Sequence, residues 1–217
     1  MQAGSPKSNV RPTRRIGSVI DWSADPGRKA CGFTLLELVV VLAIVAVLTT
    51  LAAPSFIRLI QSNTVSSVVN IFMADMRYAR SESIRRGGGV VMCRSDAPEA
   101  LAPVCNSDAG AGNKGWVSGW IVFLDTDDDA DKQADEALLR VQSPINEIDV
   151  IVEGAPDAST PLRFTATGRL LNPSSATSLH FGGAHYAADV QRVLCISPGG
   201  HARIAGNGAA RCPTDTL

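Results

Sequence analysis

Residues 32–53 read GFTLLELVVVLAIVAVLTTLAA, and this stretch decides the fold. From Phe33 to Ala53 the run is apolar except for one charged side chain, Glu37. A helix rises about 1.5 Å per residue, so this run spans roughly 31 Å, close to the thickness of the hydrocarbon core of a bilayer. The stretch therefore predicts a transmembrane helix over residues 33–53.

The sequence before this stretch is basic. Residues 1–32 hold six lysine and arginine side chains against two aspartates. Basic flanks stay on the cytoplasmic side of a membrane, so we expect residues 1–32 in the cytoplasm and the remainder on the far side. A cleaved secretory signal is the alternative. It would need an apolar core of about 7–15 residues followed by a small-residue cleavage site, whereas here the helical pattern continues.

Composition excludes several classes of protein. The 217 residues are 45% hydrophobic and 19% charged, which excludes a wholly disordered chain, a collagen and a multi-span membrane protein. After residue 32 the chain has 14 basic and 19 acidic side chains, so it is not a globally basic nucleic-acid binder. The sequence has no G-x-S-x-G, P-loop or H-E-x-x-H motif, and we therefore predict that the protein is not an enzyme.

A helical pattern resumes after Pro54. Two arginines and three glycines, residues 85–89, indicate where this helix ends. The pattern predicts one long helix over residues 33–86, kinked at Pro54 because proline removes a backbone hydrogen bond, with its second half packed on a globular domain. The apolar stripe of that second half comprises Ile57, Ile60, Val65, Val68, Phe72, Met76 and Ala79.

The rest of the chain, residues 87–217, indicates short strands. Each apolar segment is bounded by Gly, Pro, Asn, Asp or Ser, and no helical pattern intervenes. We therefore predict an α+β fold in which the long N-terminal helix packs on an antiparallel β-sheet or sandwich domain, with Trp116 and Trp120 in the core. The predicted strands are VVMC, GWIVFLD, ALLRV, EIDVIVEG, LRFTA, SLHF, QRVLCIS and ARIAG.

The positions of the cysteines in the sequence favour export of the chain that follows the apolar run. One lies before the apolar run, and an even set of four, suited to an oxidising compartment, lies after it. Four cysteines allow three pairings. We expect the short-range one, Cys93–Cys105 and Cys195–Cys212, because each bridge closes a small loop bounded by turn residues and could add about 3 kcal/mol.

The segment GFTLLELVVVLAIVAVL, residues 32–48, resembles the prepilin-type signal of type IV pilins and type II secretion pseudopilins. Later stretches, among them WVSGWIVFLDTDDD, LRFTATGRL and VLCISPGGHAR, are similar to the GspH/FimT family of minor pilins and pseudopilins. The resemblance covers about residues 32–203. It implies a filament subunit that helps pilus biogenesis or protein secretion.

The resemblance also implies processing and assembly sites. A prepilin peptidase would cleave the basic leader, residues 1–32, between Gly32 and Phe33, and the new Phe33 amine would be methylated. Glu37 would pair with that amine in a neighbouring subunit, because a buried carboxylate needs a cation. The alternative for Glu37 is a carboxylate that suits the positive end of the helix dipole. Pro54 falls where pilin helices commonly kink.

The same family implies partners and a location. The partners are the prepilin peptidase, other pilins or pseudopilins, the assembly platform and the inner membrane. The precursor would cross the inner membrane once, with its β-rich domain in the periplasm, and would later enter a pilus or pseudopilus. The leader is longer than many such leaders, and a later start codon is the alternative to an unusual precursor.

One acidic run has the spacing of a calcium loop, D-x-D-x-D-x-D with an acid at the twelfth position. Ala130 replaces the expected central glycine, and the flanks read as strands. We therefore predict a solvated hairpin without a cofactor, with calcium as the alternative. The acids are Asp125, Asp127, Asp129, Asp131 and Glu136.

A second open question concerns DNA. Gly200-His201-Ala202-Arg203 falls where some FimT-type pilins carry a Gly-Arg-x-Arg motif associated with DNA binding in natural transformation. Arg192 and Arg211 could join Arg203 in a phosphate-binding patch. A DNA-binding minor pilin at a pilus tip is therefore the alternative function. A zinc site from the histidines and cysteines is not predicted, because no compact ligand pair is present.

Overall fold

The computed structural model describes residues 32–154, 160–171, 177–208 and 210–212. Within these residues one α-helix, α1 (Leu35–Arg86), is followed by eight strands, with two 3-10 turns, Ala111–Asn113 and Trp116–Ser118, between the first two strands. The strands are β1 (Val90–Arg94), β2 (Trp120–Leu124), β3 (Leu138–Gln142), β4 (Val150–Glu153), β5 (Leu162–Phe164), β6 (Thr177–Gly182), β7 (Arg192–Ile196) and β8 (Ala202–Gly206). Each strand falls within or beside a segment that the sequence predicts to be a strand. The predicted α+β fold is confirmed.

The chain divides into two units, residues 1–46 and 47–217. The described part of the first unit is the beginning of α1 and the three residues before it. The second unit holds the remainder of α1 and every described strand. The expected leader, apart from Gly32, lies outside the described residues.

The strands form two four-stranded antiparallel sheets. Their orders are β3-β2-β1-β5 and β4-β6-β7-β8. All six pairings inside the sheets are antiparallel, as expected for short strands joined without intervening helices. The two sheets and the later turns of α1 share one apolar core.

The contact between α1 and the core begins later than its apolar stripe predicts. Val65 and the stripe residues that follow it are buried. Ile57 and Ile60, the first two residues of the stripe, are more than half exposed, so the far part of the stripe is the part that packs on the globular domain. Near this point Gln61 of α1 donates to the His185 carbonyl, and the Ser62 hydroxyl accepts from Arg192.

An aromatic cluster joins α1 to both sheets. The Phe72 ring lies edge-on to Trp116, Trp120 and Phe181, with centroids 5.4, 5.1 and 5.8 Å away. All four side chains are buried, so the prediction that the two tryptophans fill the core is confirmed. Edge-to-face ring pairs at these separations add to the stabilisation that burial alone provides.

A buried carboxylate on α1 makes polar contacts with the sheet. The Trp120 indole N–H donates to Asp75 Oδ2 at 2.8 Å, and Arg140 Nε lies 2.7 Å from Oδ1. Arg140 also lies over the Tyr78 ring. Burial raises the pKa of Asp75 above its ordinary value, although the contacts with Trp120 and Arg140 lower it in part.

Asp75 gives the fold a testable pH dependence. Because its folded-state pKa is raised, its contribution to stability is complete below the unfolded pKa and is lost as the pH rises through the folded pKa. Asp75→Asn keeps an acceptor for Trp120 and does not titrate. The free energy of unfolding of the wild type, minus that of this variant, should therefore fall as the pH rises. Denaturant titrations between about pH 3 and pH 7 measure it, and a pH-independent difference would contradict the assignment.

The four cysteines after α1 form two disulfides. Cys93 is bonded to Cys105 and Cys195 to Cys212, which is the pairing that the loop argument predicts. The first bridge anchors the loop that follows β1. The second anchors the C-terminal segment to β7.

Candidate processing and assembly site

The bond that the motif marks for cleavage lies just before α1. Gly32, Phe33 and Thr34 are not helical, and all three are exposed. A Cβ atom built on Gly32 would meet no heavy atom within 4 Å. The chain itself therefore leaves room at Gly32, and a preference for glycine there would have to come from an enzyme that approaches the backbone closely.

Thr34 caps the first turn of α1. The backbone N–H of Glu37 donates to Thr34 Oγ1 at 3.2 Å, and that of Leu38 donates to the Thr34 carbonyl at 3.2 Å. Thr-x-x-Glu is the sequence of a capping box, in which the threonine side chain satisfies an N–H that the helix leaves free. Glu37 thus lies one turn from the Phe33 amine that cleavage would create, at the positive end of the helix dipole.

The first half of α1 has an apolar surface on all sides. Phe33 and every leucine, isoleucine and valine from Leu35 to Leu51 are exposed. This is the one helix among the described residues that is long and apolar enough to cross a membrane. Exposed apolar surface of this extent marks a membrane or protein contact.

Pro54 lies inside α1, and the helix continues through it. Two hydroxyls near it bond back to the helix: Thr50 Oγ1 to the Val47 carbonyl at 2.7 Å and Ser55 Oγ to the Ala52 carbonyl at 2.8 Å. Side-chain bonds of this kind often accompany helix bending. The kink at Pro54 stays a prediction.

The acidic run forms the loop between β2 and β3. Asp125 accepts the backbone N–H groups of Asp128 and Ala130, and both of these residues have positive φ. Glu136 accepts those of Thr126 and Gln133. The buried carboxylates of Asp125 and Glu136 thus organise the loop through backbone bonds.

Three of the five predicted calcium ligands come together. Oxygens of Asp125, Asp127 and Glu136 lie within 4.8 Å of one another, whereas Asp129 binds the N–H of Asp131. Asp127 is exposed, but partial loss of hydration and the Asp129 charge raise its pKa. The backbone bonds give the buried carboxylates of Asp125 and Glu136 partners within the loop, as expected of the predicted hairpin. Calcium binding stays the alternative prediction.

Of the predicted DNA contacts, Arg203 lies opposite Cys195 of β7, and Arg211 adjoins Cys212, the disulfide partner of Cys195. The Arg192 guanidinium donates to the backbone carbonyls at residues 189, 190 and 191 and to Ser62 on α1. Arg203 is exposed on β8, and Arg211 is exposed beside Cys212. Arg192 therefore has a structural role that the sequence did not indicate.

His201 has a neighbour that sequence reasoning missed. Its Nδ1 lies 3.0 Å from Nη1 of Arg80 on α1, 121 positions away. A guanidinium only donates, so this imidazole nitrogen accepts. The only sequence signal was the position of Arg80 near the predicted end of the helix, and that does not identify a partner so distant.

The fold and its N-terminal segment define a pilin-like protein. A model of the prokaryotic N-terminal methylation motif matches residues 27–53. A second model, described as type II transport protein GspH, matches residues 68–200, more than half of the chain. The chain belongs to the GspH family.

Solved structures similar to this chain include two crystal forms of the type IV minor pilin FimU of Pseudomonas aeruginosa PAO1. The form in space group P21 has 20% identity and a TM-score of 0.48, over 69% of this chain and 93% of FimU. The form in space group P65 has 20% identity and a TM-score of 0.44, over 67% and 96%. Comparison with curated proteins gives no match.

Proposed function

We propose that this chain is a minor pilin or pseudopilin that helps to assemble a type IV pilus or a type II secretion pseudopilus. Its precursor crosses the inner membrane once, with the β-rich domain in the periplasm. A prepilin peptidase cleaves between Gly32 and Phe33, the Phe33 amine is methylated, and the product enters a filament through the assembly platform and other pilins. The role is mechanical and not catalytic.

The exposed apolar surface of α1 is the observation that supports this proposal. Apolar side chains stay exposed from Phe33 as far as Ile60, and the helix from Leu35 to Ile60 is 26 residues long. At about 1.5 Å per residue it measures roughly 39 Å, more than the roughly 30 Å of a hydrocarbon core. Lipid can cover most of this surface, and helices of neighbouring subunits would cover it in a filament.

The geometry gives less support to DNA capture as the main role. Arg192 is engaged by backbone carbonyls and His201 by Arg80. Deletion phenotypes separate the two functions. Lost piliation or secretion supports the assembly role, whereas lost transformation with normal filaments supports DNA capture.

Processing is tested by the mass of the full chain. In cells with prepilin peptidase we expect a product that begins at Phe33 and carries one added methyl group, and in peptidase-deficient cells the whole precursor. Gly32→Val should block cleavage because its Cβ branch obstructs close approach to the backbone. Ala30→Val is the matched control and should be cleaved. A chain that keeps residues 1–32 in peptidase-positive cells would overturn the proposal.

A further inference from the structure

One face of the sheet β3-β2-β1-β5 points away from the aromatic core, and we call it the outer face. Cys105, in the loop after β1, and Ala130, in the loop after β2, pack against this face. The two loops therefore cover its middle strands. The covered side chains are Val91, Cys93, Ile121 and Phe123.

The edge strand β3 is left uncovered on this face. A bulge in its pairing with β2 places both Leu139 and Arg140 toward the core, where Leu139 packs and Arg140 meets Asp75. Leu138 and Val141 lie opposite members of the covered cluster and share the outer face with it. They are 41% and 38% exposed. Two apolar side chains thus extend the buried cluster into solvent.

The loop after β1 adds a second apolar element. It is closed by the Cys93–Cys105 disulfide, and its two prolines, Pro98 and Pro103, are buried. Between them Leu101 is fully exposed. Because the disulfide and the two buried prolines hold this loop in place, the loop has little conformational entropy to lose when Leu101 binds a partner.

Both loops that frame this surface are acidic. Residues 125–136 hold seven acids and one lysine, and residues 95–108 hold three acids and no base. Arg94 and Arg163 pair with four of these ten acids, Asp96, Asp108, Asp125 and Asp128, so the acids still outnumber the three cations among them. A second copy of the same surface would bring like charges together, which is unfavourable across an interface. The occupant favoured by charge is therefore basic.

Within the described residues β3 pairs with β2 alone, so its other edge is open to a further strand. Open edges with apolar side chains recruit extended polypeptide through main-chain hydrogen bonds. We propose that β3 and its two flanking loops form a docking surface for an extended, basic segment of another protein. The segment adds as a strand beside β3, packs apolar side chains on Leu138 and Val141, and places Lys or Arg beside the acidic loops.

The proposal is tested by photo-crosslinking of the full chain in its own cells. A photoreactive amino acid replaces Leu138 or Val141, and Ile204, similarly exposed on the edge strand β8, is the matched control position. We expect a polypeptide adduct from positions 138 and 141 but not from 204, with a crosslinked segment that is net basic by mass spectrometry. The result does not depend on how residues 1–32 are processed.

Charge reversal gives the second measurement. Asp129→Lys combined with Asp131→Lys should lower the adduct yield by about tenfold, because these lysines would face the basic segment. Asp189→Lys, on an exposed turn outside this surface, should leave it unchanged. Equal yields at 138, 141 and 204, an adduct with a second copy of this chain, an acidic segment, or an adduct with lipid or glycan alone would each overturn the proposal.

Discussion

Phe72→Ala should lower the free energy of unfolding of the second unit by about 3–5 kcal/mol, the cost of truncating a fully buried phenylalanine. Phe72 is inaccessible to solvent, and its ring meets one aromatic ring from each sheet and the Trp116 ring from the segment before β2. The substitution removes apolar contacts and leaves a cavity between α1 and two indoles that cannot easily move into it. Urea unfolding of the mature chain in detergent, followed by tryptophan fluorescence, measures the loss.

The neighbouring residue supplies the matched control. Ile71 lies on the same helix and is 38% exposed. Ile71→Ala removes a side chain of similar chemistry with the same small change in helix propensity, so it should cost much less than Phe72→Ala. Equal losses from the two variants would mean that the aromatic cluster does not hold α1 against the sheets.

The sequence predicted the elements because their signals are local. The apolar run of residues 33–53 and the helical pattern after Pro54 specify α1, and short apolar runs between turn residues specify the strands. Short loop length favours the two disulfides in the same way. Cys93–Cys105 joins residues 12 positions apart, and Cys195–Cys212 joins residues 17 positions apart. These features need no knowledge of what lies across the fold.

The contacts between elements were not predicted, for the opposite reason. Asp75 and its partner Trp120 are 45 positions apart, and nothing near either residue marks the pair. Arg94, at the end of the apolar strand β1, is fully buried because Asp96, Asp108 and Ser118 bind its guanidinium. A hydrophobic period also shows which face of a helix is apolar but not where a sheet begins to cover it.

In the candidate sites, too, the local features were predicted from sequence and the features that are not local were missed. The motif from Gly32 to Glu37 is contiguous, so sequence alone was enough to locate it. The capping bond from the Glu37 backbone N–H to Thr34 Oγ1 is also local, and it does not involve the Glu37 carboxylate. The acidic loop lies between two strands as predicted, but no side-chain pattern specifies the backbone N–H groups of Asp128 and Ala130 that donate to Asp125.

Glu37→Gln should abolish incorporation into filaments while membrane insertion and cleavage continue. Under the proposed function, the Glu37 carboxylate meets the Phe33 amine of a neighbouring subunit away from water. Removing one partner of a buried ion pair costs about 3–5 kcal/mol, because the other charge is left uncompensated. Each 1.4 kcal/mol is tenfold, so the affinity for the filament should fall by roughly 10²–10⁴. Quantitative immunoblots of sheared filaments and of membranes measure the distribution.

The capping role of this segment provides the control that separates the two explanations of Glu37. Glutamine serves in a capping box as glutamate does, so Glu37→Gln keeps the local helix start and removes only the charge. Thr34→Ala does the reverse, because it removes the Oγ1 acceptor and keeps the carboxylate. If charge pairing governs assembly, Thr34→Ala enters filaments and Glu37→Gln does not. If Glu37 acts only at the helix start, the Thr34 variant fails and the glutamine variant assembles normally, which would contradict the ion pair.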